Sequence, residues 1–169
     1  NTKTLTYTVE YYKDNVKVDG DTETRTEAVQ VLQPDVITID RTLINNNNKY
    51  TGYRLDHTNP FTVPNTVNNE TTIKVYYVKD NFNYRVEYYY GGIIDNNKTE
   101  NLSGTYQDII TTYTDKNITG YRLEKTENLP LTISNVEEDN VIKVYYIVDD
   151  GNTKTLTYTV EYYKDNVKV

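Results

Sequence analysis

The sequence has no cysteine, no methionine and no tryptophan, and only one histidine and four prolines in 169 residues. Without cysteine there is no disulfide, no thiolate nucleophile and no thiolate metal ligand. The side chains most readily oxidised are therefore missing, which suits an exposed extracellular setting. Two serines, Ser103 and Ser134, and one histidine, His57, leave a Ser–His–Asp constellation to be assembled across distant parts of the chain. No glycine-rich phosphate loop and no His or Cys metal spacing is present. The sequence therefore predicts a protein that is not an enzyme and holds no cofactor, and His57, in "RLDHTNP", reads as a surface loop residue. No apolar run approaches the ~18 residues that a membrane-spanning helix needs. A net charge of −7 opposes nucleic-acid backbones, which attract clustered Lys and Arg, and equally opposes anionic membrane surfaces. No leader peptide is legible; a segment cut from inside a longer protein would carry none.

Repetition is abundant. "NTKTLTYTVEYYKDNVKV" runs from Asn1 to Val18 and returns unchanged from Asn152 to Val169, a period of 151 residues (152 minus 1). This reads as a window on a longer periodic polymer. A second repeat is nested inside the first. "YTVEYY" at Tyr7–Tyr12 returns as "YRVEYY" at Tyr84–Tyr89, "TGYRL" at Thr51–Leu55 returns at Thr119–Leu123, and "IKVYY" at Ile73–Tyr77 returns at Ile142–Tyr146. The order is kept, so the chain divides into module A (residues 1–80), module B (81–150) and the first hairpin of another A (151–169). Each module has roughly 70–76 residues, enough for a small independent fold. The richness in Asn, Lys, Ile and Tyr, with Tyr at 19, also matches an AT-rich coding bias.

The signature segments alternate with period two. Leu5, Tyr7, Val9 and Tyr11 share one face of a strand, with Thr6, Thr8, Glu10 and Tyr12 on the other. Ile73, Val75 and Tyr77 oppose Lys74, Tyr76 and Val78; Val86 and Tyr88 oppose Glu87 and Tyr89; Ile142, Val144 and Tyr146 oppose Lys143 and Tyr145. β-Branched and aromatic residues dominate these runs. Lys13–Asp14–Asn15 and Tyr90–Gly91–Gly92 read as hairpin tips, and Asp19–Gly20–Asp21 as a further turn. "PDVITIDRTLI" from Pro34 could open a short helix, but its Val, Ile and Thr favour strand. The predicted class is β-rich, an α+β arrangement with little helix. Linkers of about six residues (Val78 to Tyr84) and about eight (Val148 to Leu156) limit bending, so an elongated rod is expected.

An opening "VEYY" strand, a central "GYRL" and a closing "IKVYY" strand, twice in order, resemble the mucin-binding-protein (MucBP) repeat family of Gram-positive surface proteins. The resemblance spans both modules nearly end to end. It implies a β-grasp-like, ubiquitin-like module in tandem arrays on adhesins, extracellular and anchored to the cell wall. It also implies host mucin or glycan as a partner for some members of the family.

Several residues are candidates for specific roles. If first and last strands are neighbours, Glu10 faces Lys74 and Glu87 faces Lys143, fixing register at ~0.2–1 kcal/mol a pair. Tyr12, Tyr76, Tyr89 and Tyr145 share that face, where they could stack on sugars or simply cover the sheet. Asp19 and Asp21, and Asp149, Asp150 and Asn152, could offer oxygen ligands to Ca²⁺ or could form ordinary Asx turns. A Lys–Asn isopeptide crosslink has the residue types it needs, but no trio stands out. The expected function is a structural stalk or spacer of a surface adhesin or fibre, with adjacent repeats as partners. The alternatives are a mucin- or glycan-binding module using the tyrosines, and a self-assembling filament subunit that exchanges strands between copies. Residues 152–169 are too few for a module, since an isolated hairpin is marginal in water. They are expected to be held by module B, by another chain or by the next copy.

Overall fold

The structure, a computed structural model, describes residues 1–151 and 153–169. Strand β1 (Thr2–Lys13) turns tightly into β2 (Val16–Lys17), and β3 (Glu23–Gln30) returns along the same edge. The chain then runs through β4 (Val36–Thr38), β5 (Tyr53–Asn59), β6 (Thr66–Asn68) and β7 (Thr71–Lys79). The sheet order is β2-β1-β7-β5, with β3 also paired to β1. β1 and β7 are parallel, in register from Tyr7↔Thr71 to Lys13↔Tyr77, and the other pairs are antiparallel. β4 and β6 form a separate two-stranded ribbon.

The second half repeats this plan. Its strands are β8 (Asn81–Tyr90), β9 (Ile93–Ile94), β10 (Glu100–Thr105), β11 (Ile109–Ile110), β12 (Tyr121–Glu127), β13 (Leu131–Thr132) and β14 (Val141–Val148). The order is β10-β8-β14-β12, with β9 on β8, β8 parallel to β14, and a β11–β13 ribbon. The protein is thus β-rich, with two similar sheet-based halves. Its helical content among the described residues is confined to short 3-10 turns, such as Asp19–Asp21 and Arg41–Leu43. The segment after Pro34 is divided between β4 and the second of these turns. Asp40 caps that turn, its carboxylate accepting from Thr42 N at 3.0 Å.

Both hairpin tips are built from left-handed residues. Asp14 and Asn15 have φ of 46° and 66°, and Gly91 and Gly92 have φ of 58° and 82°. Two successive positive φ values give a turn whose twist matches that of the flanking strands. The C-terminal segment makes the same tip. In β15 (Tyr163–Lys164) and β16 (Val167–Lys168), Tyr163 pairs with Lys168, as Tyr12 pairs with Lys17.

Each half has its own core. The first gathers Leu5, Tyr7, Val9 and Tyr11 of β1 with Ile73, Val75 and Tyr77 of β7, roofed by Ile37, Ile39, Ile44, Val63 and Val67. The second gathers Val86, Tyr88, Ile142, Val144 and Tyr146 under Leu131 and Ile133. Among the described residues none belongs to both. Fully burying each Val, Leu or Ile contributes roughly 1.5–3 kcal/mol.

The buried tyrosines do more than fill space. Where the chain crosses each sheet its regular structure is limited to short ribbons and 3-10 turns, and tyrosine hydroxyls reach up to the backbone groups left over. Tyr7 Oη accepts from Asp40 N (2.9 Å), while Tyr11 donates to the Leu43 carbonyl (2.8 Å) and Tyr77 to that of Asn46 (2.6 Å). In the second half Tyr88 donates to Thr114 O (2.7 Å), and Tyr146 donates to Asp115 and accepts from Lys116 N (2.9 Å). A buried backbone group left without a partner is costly, so these bonds let an irregular crossover lie on a core. Burial pushes the Tyr77 hydroxyl up to about 12 and raises those of Tyr11, Tyr88 and Tyr146 as well.

One expectation is corrected here. The connection between the halves is one residue, Asp80, because β7 and β8 extend further than their signatures. Residues 153–163 do not pack as their twin does. Leu156, Tyr158, Val160 and Tyr162 are 79%, 89%, 56% and 72% exposed, whereas Leu5, Tyr7, Val9 and Tyr11 are at most 1% exposed.

Candidate functional site

The outer face of each sheet, away from its core, carries the charged and aromatic residues singled out in the sequence. The parallel register sets Glu10 beside Lys74 and Tyr12 beside Tyr76 across β1 and β7. In the second half it sets Glu87 beside Lys143 and Tyr89 beside Tyr145. The carboxylates nevertheless take other cations. Glu10 pairs with Lys17 at 2.6 Å, across the β1–β2 hairpin, and Glu87 with Arg85 Nε at 3.0 Å, two residues along its own strand. The hydrogen bond to Glu10 raises the Lys17 ammonium pKa. Lys74 and Lys143 instead sit over the Tyr12 and Tyr89 rings, 5.8 and 5.9 Å from the centroids.

The tyrosines form short ladders. Tyr12 and Tyr76 stack at 4.7 Å and 21°, and Tyr89 and Tyr145 at 4.7 Å and 20°. This spacing is that of neighbouring strands, so the rings stand on the sheet face to face. A bulge in β5, between Leu55 and His57, places His57 opposite Tyr76. Its ring stacks there at 4.4 Å and 8°, with Nδ1 2.7 Å from Asp56 Oδ2. His57 is therefore a strand residue closing an aromatic row, not a loop residue. The same bulge in β12, between Leu123 and Lys125, puts Lys125 opposite Tyr145, with its ammonium 4.9 Å from the ring centre. Lys125 and Tyr145 both bond Glu127, at 3.1 Å each. The Lys125 contact is the main cause holding the Glu127 carboxyl below its usual range.

This geometry bears on recognition. Stacked rings cover each other's faces and turn their edges and hydroxyls to solvent. A sugar stacks on an open ring face, and the inner faces of Tyr12, Tyr76, Tyr89 and Tyr145 are occupied by ring neighbours.

The acidic turns have partners of their own. Asp21 accepts from the Tyr50 hydroxyl at 2.6 Å, Asp19 lies 3.9 Å from Lys17, and Asp149 accepts from Gly151 N at 3.1 Å. Asn152 lies outside the described residues, and Asp150 stands next to Asp149 in the turn that leaves β14. Among the described residues no three His, Cys, Asp or Glu side chains form a group that could hold a metal ion. Ser134 Oγ accepts from Val136 N, in the other half from His57. Lys116 pairs with Glu100 at 2.9 Å and donates to the Lys98 carbonyl at 2.7 Å.

Sequence reasoning missed one feature, a cleft where the halves meet. Its volume is about 310 Å³, and Asn47, Asn48, Tyr53, Asp80, Phe82 and Asn135 line it. The run Asn45–Asn48 marked a loop, but nothing in the sequence placed that loop beside the following half. Compared with known proteins, the chain matches no family model and no curated protein.

Proposed function

We propose that this chain is a stretch of structural stalk, built from tandem modules at residues 1–80 and 81–150 with a third opening at 151–169, that holds a binding region away from a bacterial surface. The observation that carries this reading is the parallel pairing of the first and last strands in each half. The chain enters at one end of the sheet and leaves at the other, so successive modules add length instead of folding back. A twelve-residue strand such as β1 contributes about 36 Å of reach at roughly 3.3 Å per residue. A single residue, Asp80, joins the halves, which favours a fixed spacing over a flexible tether.

A parallel central pair flanked by antiparallel strands is also the strand arrangement of a β-grasp, which supports assigning the halves to β-grasp-like modules of the MucBP kind. That assignment carries the extracellular, wall-anchored setting with it. Among the described residues no helix is long and apolar enough to cross a membrane.

The runner-up is a glycan-binding module. The stacked tyrosines offer it little open ring face, but the cleft at the junction combines asparagine amides with aromatic walls, the groups that hold sugar hydroxyls and C–H faces. Strand exchange between copies has weaker physical support. Residues 153–163 and β1 compete for one slot, and swapping identical strands buries no additional surface.

Solution scattering on the 169-residue chain, with a glycan and mucin binding screen, separates these readings. A compact globule of this length has a radius of gyration of about 15 Å, and end-to-end modules give roughly 20–23 Å. The stalk reading expects the larger value, a monomeric mass and no saturable binding. A radius near 15 Å, or specific sugar binding abolished by substituting the cleft asparagines, overturns it.

A further inference from the structure

The TGYRL signature meets the next half at the joint. Asp80 stands alone between β7 and β8, and both its backbone groups are held there. Asp80 N donates to the Gly52 carbonyl at 2.9 Å, and Tyr106 N donates to the Asp80 carbonyl at 2.8 Å. Tyr106 follows β10 and belongs to neither core. Its ring meets Tyr53 of the first half edge-on at 6.1 Å and Phe82 of its own half at 6.0 Å. The ring also lies directly over Gly52. A Cβ at that position would collide with three of its carbons, and Gly52 has φ of +78° besides.

The second TGYRL repeats the glycine and its backbone bond. The Gly120 carbonyl accepts from Asp149 N at 2.9 Å, as Gly52 accepts from Asp80. Gly120 has φ of +93°, yet among the described residues nothing lies within 4 Å of where its Cβ would be. Strand register shows which residue of the first half occupies Tyr106's place. Thr4 pairs with Ala28 as Asn81 pairs with Thr105, so Val29, opposite Lys3, corresponds to Tyr106.

We propose that Gly52 of the TGYRL signature is a docking socket for the module that follows, and that Tyr106 is the ring that fills it and fixes the second half against the first. The partner this surface fits is another copy of the same fold carrying an aromatic residue just after the strand equivalent to β10. A branched aliphatic residue at that place, such as Val29, is too short to cover the glycine. One side chain per module thus sets whether the joint before it is locked or free. The inference concerns the contact itself and does not depend on the stalk reading.

¹⁵N relaxation on the full 169-residue chain tests it by giving a rotational correlation time for each half. The wild-type halves are expected to share one value. Tyr106→Val and Gly52→Ala each abolish the shared value, leaving two shorter ones, while amide shifts away from the joint stay in place. Gly120→Ala carries the same left-handed backbone penalty without the ring contact and leaves the halves coupled. Gly52→Ala keeps the proposal testable should Tyr106→Val unfold the second half. Wild-type halves that tumble separately, coupling that survives both joint substitutions, or uncoupling by Gly120→Ala equal to that by Gly52→Ala would each overturn it.

Discussion

Among the described residues, Asn140 is the one fully buried side chain that is neither aliphatic nor aromatic. Its Oδ1 accepts from Ser134 N (2.9 Å), and its Nδ2 donates to the carbonyls of Ser134 (2.8 Å) and Asn83 (3.2 Å). It ties the turn before β14 to the start of β8, so three backbone groups depend on one amide. Asn140→Ala should cost about 2–3 kcal/mol, because it leaves those groups without partners and too enclosed for easy hydration. Urea unfolding followed in the second half measures the loss; a cost under about 0.5 kcal/mol would mean that water replaces the amide. Sequence reading could not single out Asn140 in a chain so rich in asparagine. Its near neighbour Ile142, by contrast, was visible through its place in an apolar strand.

The strands and their crossovers were unequally legible. Period-two alternation in β1, β7, β8 and β14 assigns each residue to a face because one face is buried and the other is not. The bulges that bring His57 and Lys125 onto the outer face leave no such signal, because one extra residue in a half-exposed edge strand disturbs little apolar patterning. Nor could the sequence show that Glu10 would prefer Lys17 to Lys74. Both lysines are within reach, and side-chain geometry decides between them. The crossovers were hardest to read, since their order comes from tyrosines on the sheet below. That origin leads to a pH prediction. Burial is the chief cause that raises the hydroxyl pKa values of Tyr11, Tyr50, Tyr77, Tyr88 and Tyr146 above the ordinary phenol value of about 10. The fold favours the neutral phenol. The stability this gives is fully present below pH 10 and is lost as pH climbs toward the folded-state values, about 12 for Tyr77. The last part of the phenolate absorbance to appear, that of the buried rings, should therefore rise together with the loss of circular dichroism above pH 10. Ionisation of every tyrosine near pH 10 with the fold intact would contradict this.

At the scale of the whole molecule, two cores without a shared residue predict independent responses to damage. Ile73→Ala and Ile142→Ala, at matching positions, should each cost about 2–5 kcal/mol, and their effects should add to within roughly 0.5 kcal/mol. A double mutant that departs further from the sum would show that the joint at Gly52 passes strain between the halves. The repeat pattern in the sequence located both cores, because each module carries its own apolar strands. It did not reveal the joint, because Gly52 and Tyr106 lie far apart along the chain and TGYRL reads the same in both copies.

The parallel pairing of β1 with β7, and of β8 with β14, has one more consequence. A force that draws the two ends of a module apart acts along these neighbouring strands in opposite directions. The hydrogen bonds between them are then strained sideways, all at once. They are not peeled open singly from one end, as in a hairpin pulled from its open side. Resistance to tension is therefore greatest along the direction in which the chain extends.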